Sequence, residues 1–368
     1  MTTFAENKIP YIEVIGKYDR TPFAIVEPSQ CWFELSFYEI GEFEIYCIAT
    51  QNNLNSLQMG NYVKIPHKPY CWIIKSIQYT YNVNGAKMIV ARGFEAKWLL
   101  KTRIIQSPFT LPSSLANALF KLVDGNMGAS AVSARKIVGW QTTQPTFNIA
   151  LQDTQATRAD LNEFVLNLLK TNHCGSKSEY DATNKNIVWS AFEGRDLTNA
   201  IVFAQSMDNL LSSDYQANSE DVKTMCQVVS TFTEKDDQDE NISIDYVQTY
   251  DKGQTGIDRN EMTIQSNLST KYTDDQGVEQ ETTPTSNLYK GWQQEEGKNK
   301  LAEHILKREF SGVIDMEHSQ FAFEEDFFIG DLVKVRDEHF GIEANARILK
   351  YTFKIESTYG EVCDYQME

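Results

Sequence analysis

No stretch of this 368-residue chain approaches the roughly 18 uninterrupted apolar residues that a helix needs to cross a bilayer, which argues against a helical membrane protein. The opening "MTTFAENKIPYIEVIG" has neither the basic start nor the apolar core of a signal peptide, so synthesis in a cytoplasm is expected. The six cysteines, Cys31, Cys47, Cys71, Cys174, Cys226 and Cys363, show no paired spacing. A disulfide framework and a zinc ribbon therefore have no support, and reduced thiols packed as small apolar groups are expected. Basic charge is in deficit, 34 Lys and Arg against 51 Asp and Glu, and the resulting net charge of −17 repels phosphate backbones. Stable nucleic-acid binding is disfavoured, while DNA can pass such a surface without sticking. There is no phosphate-binding glycine loop, no nucleophile elbow and no zincin motif.

Aromatic residues are abundant, with 17 Tyr and 20 Phe, as suits strands and interfaces. The first hundred residues hold short, partly alternating β-branched and aromatic runs: "CWFELSFYEI" (31–40), "EFEIYCIA" (42–49), "YVKI" (62–65), "CWIIKSIQYTYN" (71–82) and "AKMIVARGF" (86–94). Such spacing predicts a barrel or sandwich over 1–100. From about 101 to 193 the pattern changes to an α+β insertion domain. "LPSSLANALFKLVDGN" carries a Ser cap before Leu115, and "TRADLNEFVLNLLKTN" has Leu161, Phe164, Val165 and Leu168 at helical spacing. β character returns over 194–232 and 309–368, which predicts a second β-barrel. Residues 233–308 read as an insertion in or beside it: the acidic loops "TEKDDQDENIS" and "KYTDDQGVEQETTPTSN", then a helix over about 294–308 with Leu301, Ile305 and Leu306 inward. The closing strands read as "SQFAFEE", "DLVKV", "ARILKYTFKI" and "EVCDYQM".

Two hexamers match across the blocks. Gly60-Asn61-Tyr62-Val63-Lys64-Ile65 precedes "WIIKSIQYTY", and Gly330-Asp331-Leu332-Val333-Lys334-Val335 precedes "ARILKYTFKI". In each, a turn with Gly and Asn or Asp accepts positive φ and delivers the chain into a strand that alternates inward Val with outward Lys. Gly-Asp turns before strands are common, so coincidence is the competing reading. The position of each copy near the end of a β-rich block favours two β-barrels related by an old duplication.

These residues resemble the hub proteins at the tail tip of long, non-contractile-tailed bacteriophages, the tail-associated-lysin N-terminal-like group. "WFELSFYEIGEFEIYC" is similar to the family's first hairpin, through Gly41, Phe43 and Ile45. "LQMGNYVKIP" resembles the next strand, and "LLKTRII" the segment closing the first barrel. "EGRDLTNAIVFAQSMDNLLSSDY" resembles a Gly-x-Asp-Leu-Thr step, carried by Gly194, Asp196, Leu197, Thr198, Val202, Phe203, Asn209 and Leu210. "FFIGDLVKV" is similar to the late Gly-Asp strand. The resemblance implies a mainly β fold with two tail-tube-like barrels and mixed insertions. It implies a structural homotrimer in the virion that continues the hexameric tail tube as a pseudo-sixfold ring. The implied neighbours are the distal tail or tail-tube protein, the tape-measure protein and receptor-binding or other baseplate proteins, with DNA only in transit and no stable membrane association. The family's longer members carry a lysin; this chain stops at Glu368, so none is expected here. No cofactor, metal or catalytic residue is expected. The residues expected to matter shape turns and barrel cores: Gly60 and Gly330 for the turns, Val63, Ile65, Val333 and Val335 for the cores, Phe43, Leu197 and Phe203 where blocks meet.

The rival classes rest on few residues. His173 beside Cys174 hints at a thiol nucleophile, but sequence neighbours rarely meet in the required geometry. His67 and Cys71 lack a second ligand pair for zinc. Asp236, Asp237, Asp239 and Glu240 lack the glycine and distal glutamate of an EF-hand loop and read as a solvated turn, with weak calcium binding as the alternative. Glu324, Glu325 and Asp326 are consecutive, so they do not converge on one bond, and they read as solvating the loop before Gly330. A carbohydrate-binding or adhesion module is the remaining alternative, with Trp140, Trp189 and Trp292 as candidate sugar platforms against the reading of all three as core.

Overall fold

The computed structural model describes residues 11–151, 155–235, 238–274, 277–316, 318–355 and 359–367, with side chains except at 211, 307–313, 355 and 359–367. The chain is mainly β, 43% strand and 19% helix.

The first block contains β1 (Ile12–Ile15), β2 (Pro22–Val26), β3 (Gln30–Ser36), β4 (Glu42–Ile48), α1 (Gln51–Ser56), β5 (Tyr62–Lys64), β6 (Trp72–Tyr81) and β7 (Lys87–Glu95). The middle block contains β8 (Phe109–Thr110), α2 (Leu115–Met127), β9 (Trp140–Thr142), β10 (Gln155–Ala156), α3 (Leu161–Thr171), β11 (Cys174–Asp181) and β12 (Asn186–Glu193). Next come β13 (Val202–Ala204), β14 (Leu210–Asn218), β15 (Met225–Lys235), β16 (Asn241–Asp251), β17 (Glu261–Gln265), β18 (Lys271–Thr273), β19 (Glu279–Glu281) and α4 (Asn287–Glu303). The chain closes with β20 (Lys307–Ile314), β21 (Leu332–Asp337), β22 (Ile342–Ile355) and β23 (Tyr359–Met367).

Both β-rich blocks contribute to one 11-stranded sheet in the order β13-β21-β22-β3-β4-β7-β6-β5-β1-β2, with β23 on β22. The seam is the antiparallel pairing of β3 with β22, from Lys350 opposite Ser36 to Ile355 opposite Cys31. One apolar core runs under it, joining Phe33, Phe43, Val63 and Ile65 of the first block to Phe203, Val333, Val335 and Tyr351 of the last. A second core holds α2, α3 and the β11–β12 hairpin against Ile15, Tyr62, Cys71 and Ile73.

The helices start where short-range chemistry directs. Asp160 caps α3 by accepting from the Glu163 amide, and Ser286 caps α4 through the Tyr289 amide. Ser114 occupies the N-cap position of α2 without a side-chain cap bond. The helix expected over 294–308 runs instead from Asn287 to Glu303. Leu301 is buried as expected, but Ile305 and Leu306 lie beyond the helix end and are exposed. The acidic segments are not plain loops: residues 231–235 and 241–243 pair in the β15–β16 hairpin, and 271–273 pair with 279–281 in β18 and β19. "SQFAFEE" forms no strand; its Phe321 and Phe323 pack into the main core from a turn-rich segment.

Candidate assembly site

The turn at Gly330 is the place where the blocks meet. Phe328 to Asp331 forms a turn in which the Asp331 amide donates to the Phe328 carbonyl at 3.2 Å, with Gly330 at φ +86°. A third turn residue at that φ calls for glycine. The Phe37 ring of the first block lies against Gly330 and also against Gly175 of the middle block, where a Cβ would collide with it. Gly194 sits directly on the Gly330 carbonyl oxygen, which accepts from Arg347 Nη1 at 2.6 Å. The buried Asp331 carboxylate accepts from the Phe328 amide at 2.8 Å, the Arg195 amide at 2.8 Å and Arg195 Nη2 at 2.5 Å. Asp331 thereby converts a surface-type acid into a buried clamp between residues 195 and 328–331.

Gly60 occupies the corresponding place in the first block. Gln58 to Asn61 forms the same turn, the Asn61 amide donating to the Gln58 carbonyl at 3.1 Å with Gly60 at φ +90°. The backbone bonds that follow also correspond. The Gly60 amide donates to Ile74 and the Ile74 amide to Asn61, as Gly330 donates to Ile348 and Ile348 to Asp331. Asn61 Oδ1 accepts the Lys17 amide at 3.1 Å where Asp331 Oδ1 accepts that of Arg195. The next strand bulges at one place in both, between Ile74 and Ser76 against β7 and between Ile348 and Lys350 against β23. β4 flanks β7, and β20 runs alongside β23. A neighbour covers the outer side of each entering strand, β1 on β5 antiparallel and β13 on β21 parallel.

The other expected residues fall around these turns. Gly41 follows β3 in a turn held by Glu95, whose carboxylate accepts the Gly41 amide at 2.7 Å and the Ser36 amide at 3.3 Å. Phe43 is buried with its ring stacked on Phe33 at 5.5 Å. Phe203 meets Phe321 and Phe327 edge-on, and Leu197 packs partly buried against the same core. Asp196 accepts from the amide and hydroxyl of Thr198, which holds its carboxyl below the ordinary range. Val63, Ile65, Val333 and Val335 are buried.

Several structural residues carried no signal in the sequence. Lys97 is fully buried, pairs with Glu95 at 3.2 Å, and donates to the carbonyls of Ser36 at 2.5 Å and Ser176 at 2.8 Å. Burial holds the Lys97 amine below its ordinary range and the Glu95 carboxyl above it, with the mutual charge opposing both shifts. In "GFEAKWLL" the lysine reads as a surface residue. Phe37 and Arg347, the ring and guanidinium stacked 5.4 Å apart over the Gly330 turn, likewise lie in unremarkable strand text.

Cys174 is buried, and its thiol donates to the Asn172 carbonyl at 3.3 Å beside His173. Burial pushes that thiol up to about 12 and the Cys47 thiol up to about 11, and it raises Cys71 as well. Because only the thiolate reacts, Ellman's reagent at pH 8 is expected to leave Cys47, Cys71 and Cys174 unmodified in the native fold. Reaction is expected to appear only as pH approaches the raised values or after unfolding, read as absorbance at both pH extremes. His67, with φ +62°, precedes the buried Cys71. Asp236 and Asp237 lie outside the described residues, and Asp239 pairs with Lys235 in the open. Glu325 and Asp326 are exposed, whereas Glu324 ties the loop to Lys68 of the first block. Trp140, Trp189 and Trp292 are buried.

Two glycine turns with the same backbone bonds, one in each β-rich block, thus open strands of one continuous sheet. The fold is shared with phage tail proteins. A tail protein from Neisseria meningitidis MC58 has TM-score 0.56, 12% identity, and coverage of 97% of this chain and 96% of that one. The 43 kDa tail protein of prophage MuSo2 from Shewanella oneidensis has TM-score 0.56, 12% identity, and coverage of 97% and 98%. The chain belongs to the Siphovirus ReqiPepy6 Gp37-like protein family, which it matches over residues 25–362. No curated protein matches the sequence. Family and fold bear out the resemblance to phage tail proteins and support a structural role in a tail.

Proposed function

We propose that the chain is a non-enzymatic hub of a phage tail tip. Three copies form a ring, each contributing two β units, one in 1–100 and one in 194–232 with 309–368. Six quasi-equivalent units then match a hexameric tube, because a duplicated unit lets threefold symmetry meet a sixfold partner. The middle block, 101–193, and the inserted segment, 233–308, face outward to receptor-binding or other baseplate proteins. The ring's hole passes the tape-measure protein and then DNA, and a net charge of −17 leaves no phosphate contacts to break in transit. The carrying observation is the doubled turn, with the same bonds at Gly60–Asn61–Ile74 and Gly330–Asp331–Ile348. In this reading Gly41, Gly60, Gly194 and Gly330 shape the turns, Asp196 and Asp331 fix them, and the buried Phe and Val residues seat the units.

Light scattering on a sizing column, followed by negative-stain images of the peak, tests the proposal. A trimer with a central hole is expected. A chain that stays monomeric at every concentration and binds a glycan array instead would replace it with the adhesion-module reading.

A further inference from the structure

The doubled unit carries a consequence at its edges. Within the chain, β22 has two covered sides beyond its bulge: β23 on one and β3 on the other. Its counterpart β6 has β7 on one side, while β5 reaches only Trp72 and Ile73 on the other. Among the described residues, the outer edge of Ser76–Tyr81 has no strand beside it. Counting from the shared bulge, Ser76 corresponds to Lys350, Ile77 to Tyr351, Tyr79 to Phe353 and Tyr81 to Ile355. Ile77 is half-buried against the core like its counterpart, but further along the two strands diverge: Phe353 is 2% exposed and its counterpart Tyr79 62%, with Tyr81 beyond it 67% exposed. An unpaired edge rimmed by large aromatics invites another strand.

The unit also says which strand. The strand that covers β22 is β3, the partner of β4 in the first hairpin. Its counterpart is β14, the partner of β20, and these two form a sheet by themselves, with the far edge of β14 unpaired to any strand among the described residues. We infer that the Ser76–Tyr81 edge of one chain takes the β14 edge of a neighbouring copy, antiparallel, reproducing between subunits the β3–β22 seam found within each. The inference rests on the ring proposed above and specifies how its subunits join. Every unit-to-unit junction around the ring then becomes one kind of strand pairing, covalently continuous at alternate positions. Tyr79, and Tyr81 beyond it, are covered by the neighbour as Phe353 is covered by the chain itself.

The test uses the whole chain. Tyr81→Cys is combined in turn with Ser212→Cys, Ser213→Cys, Asp214→Cys and Gln216→Cys, and the assembled protein is oxidised and run without reductant. Covalent interchain species are expected for at least one combination, absent from each single variant. In parallel, Tyr79→Asp with Tyr81→Asp is expected to raise the concentration needed for assembly about thirtyfold or more, as for central aromatic anchors, while the circular dichroism spectrum stays that of the parent. A parent trimer in which no combination cross-links, or one that tolerates both aspartates, overturns the pairing and leaves the ring standing. A parent that never assembles overturns the ring and the pairing together.

Discussion

Gly330→Val is expected to abolish soluble, assembled protein, whereas Gly60→Val leaves a folded but weakened chain. The backbone cost is shared, since a β-branched residue at φ near +90° is strained in either turn. Left-handed backbone costs an ordinary side chain about 1–2 kcal/mol. The surroundings then separate the two. At Gly60 the nearest atom to a new Cβ is Lys17 Cδ at 3.1 Å, the middle of a flexible chain that can swing aside. At Gly330 the new carbon meets the Phe37 ring, which is buried and hemmed in by Gly175, and the Gly330 carbonyl is already seated on Gly194. Overpacking of such a site adds roughly 1–3 kcal/mol, and displacement of the turn also threatens the Asp331 bonds to Arg195 and Phe328. Expression, solubility and sizing-column mass of the two variants side by side provide the measurement. Soluble, fully assembled Gly330→Val would remove this turn from the structural account.

Lys97→Met is expected to destabilise the chain by about 3–5 kcal/mol, because it strips the partner from a buried carboxylate. Glu95 would keep the Gly41 and Ser36 amides but lose its only cation within 4 Å among the described residues, and the Ser36 and Ser176 carbonyls would lose a donor. Changing Glu95→Gln as well is expected to recover part of the loss, since a neutral amide still accepts from Gly41 without needing a cation. Urea unfolding of the parent, both single variants and the double variant reads the coupling. Equal, additive losses in all combinations would show that the pair does not act as a unit.

These two sites differ in how far the sequence exposes them. The Gly-polar turns are legible because their requirement is local: a positive φ, an Asn or Asp that bonds nearby amides, and an alternating strand after it. The helix caps at Asp160 and Ser286 are local in the same way. Residues 294–308 misled because Ile305 and Leu306 continue a helical spacing that the chain abandons at Glu303 for strand β20. "SQFAFEE" misled for the opposite reason. Its aromatics have strand propensity but fill the space beneath Phe203 and Tyr351 from an irregular segment, and propensity cannot separate burial in a strand from burial in a turn. Lys97 and Glu95 were invisible because a charged residue reads as surface until its partners are known.

By itself the sequence determined the β character, the positions of most strands, the paired glycine turns and the resemblance to phage tail proteins. Each of these depends on side-chain alternation or on bonds spanning a few residues. Only the tertiary structure decided that β3 pairs with β22, that Glu34 and Lys350, 316 residues apart, face each other across that seam, and that Phe37 locks the late turn. Strand pairing uses the same backbone amides and carbonyls whatever the residues. Its choice of partner is therefore made by the burial of whole faces and by close approaches such as Gly194 on Gly330, which exist only once the chain has folded.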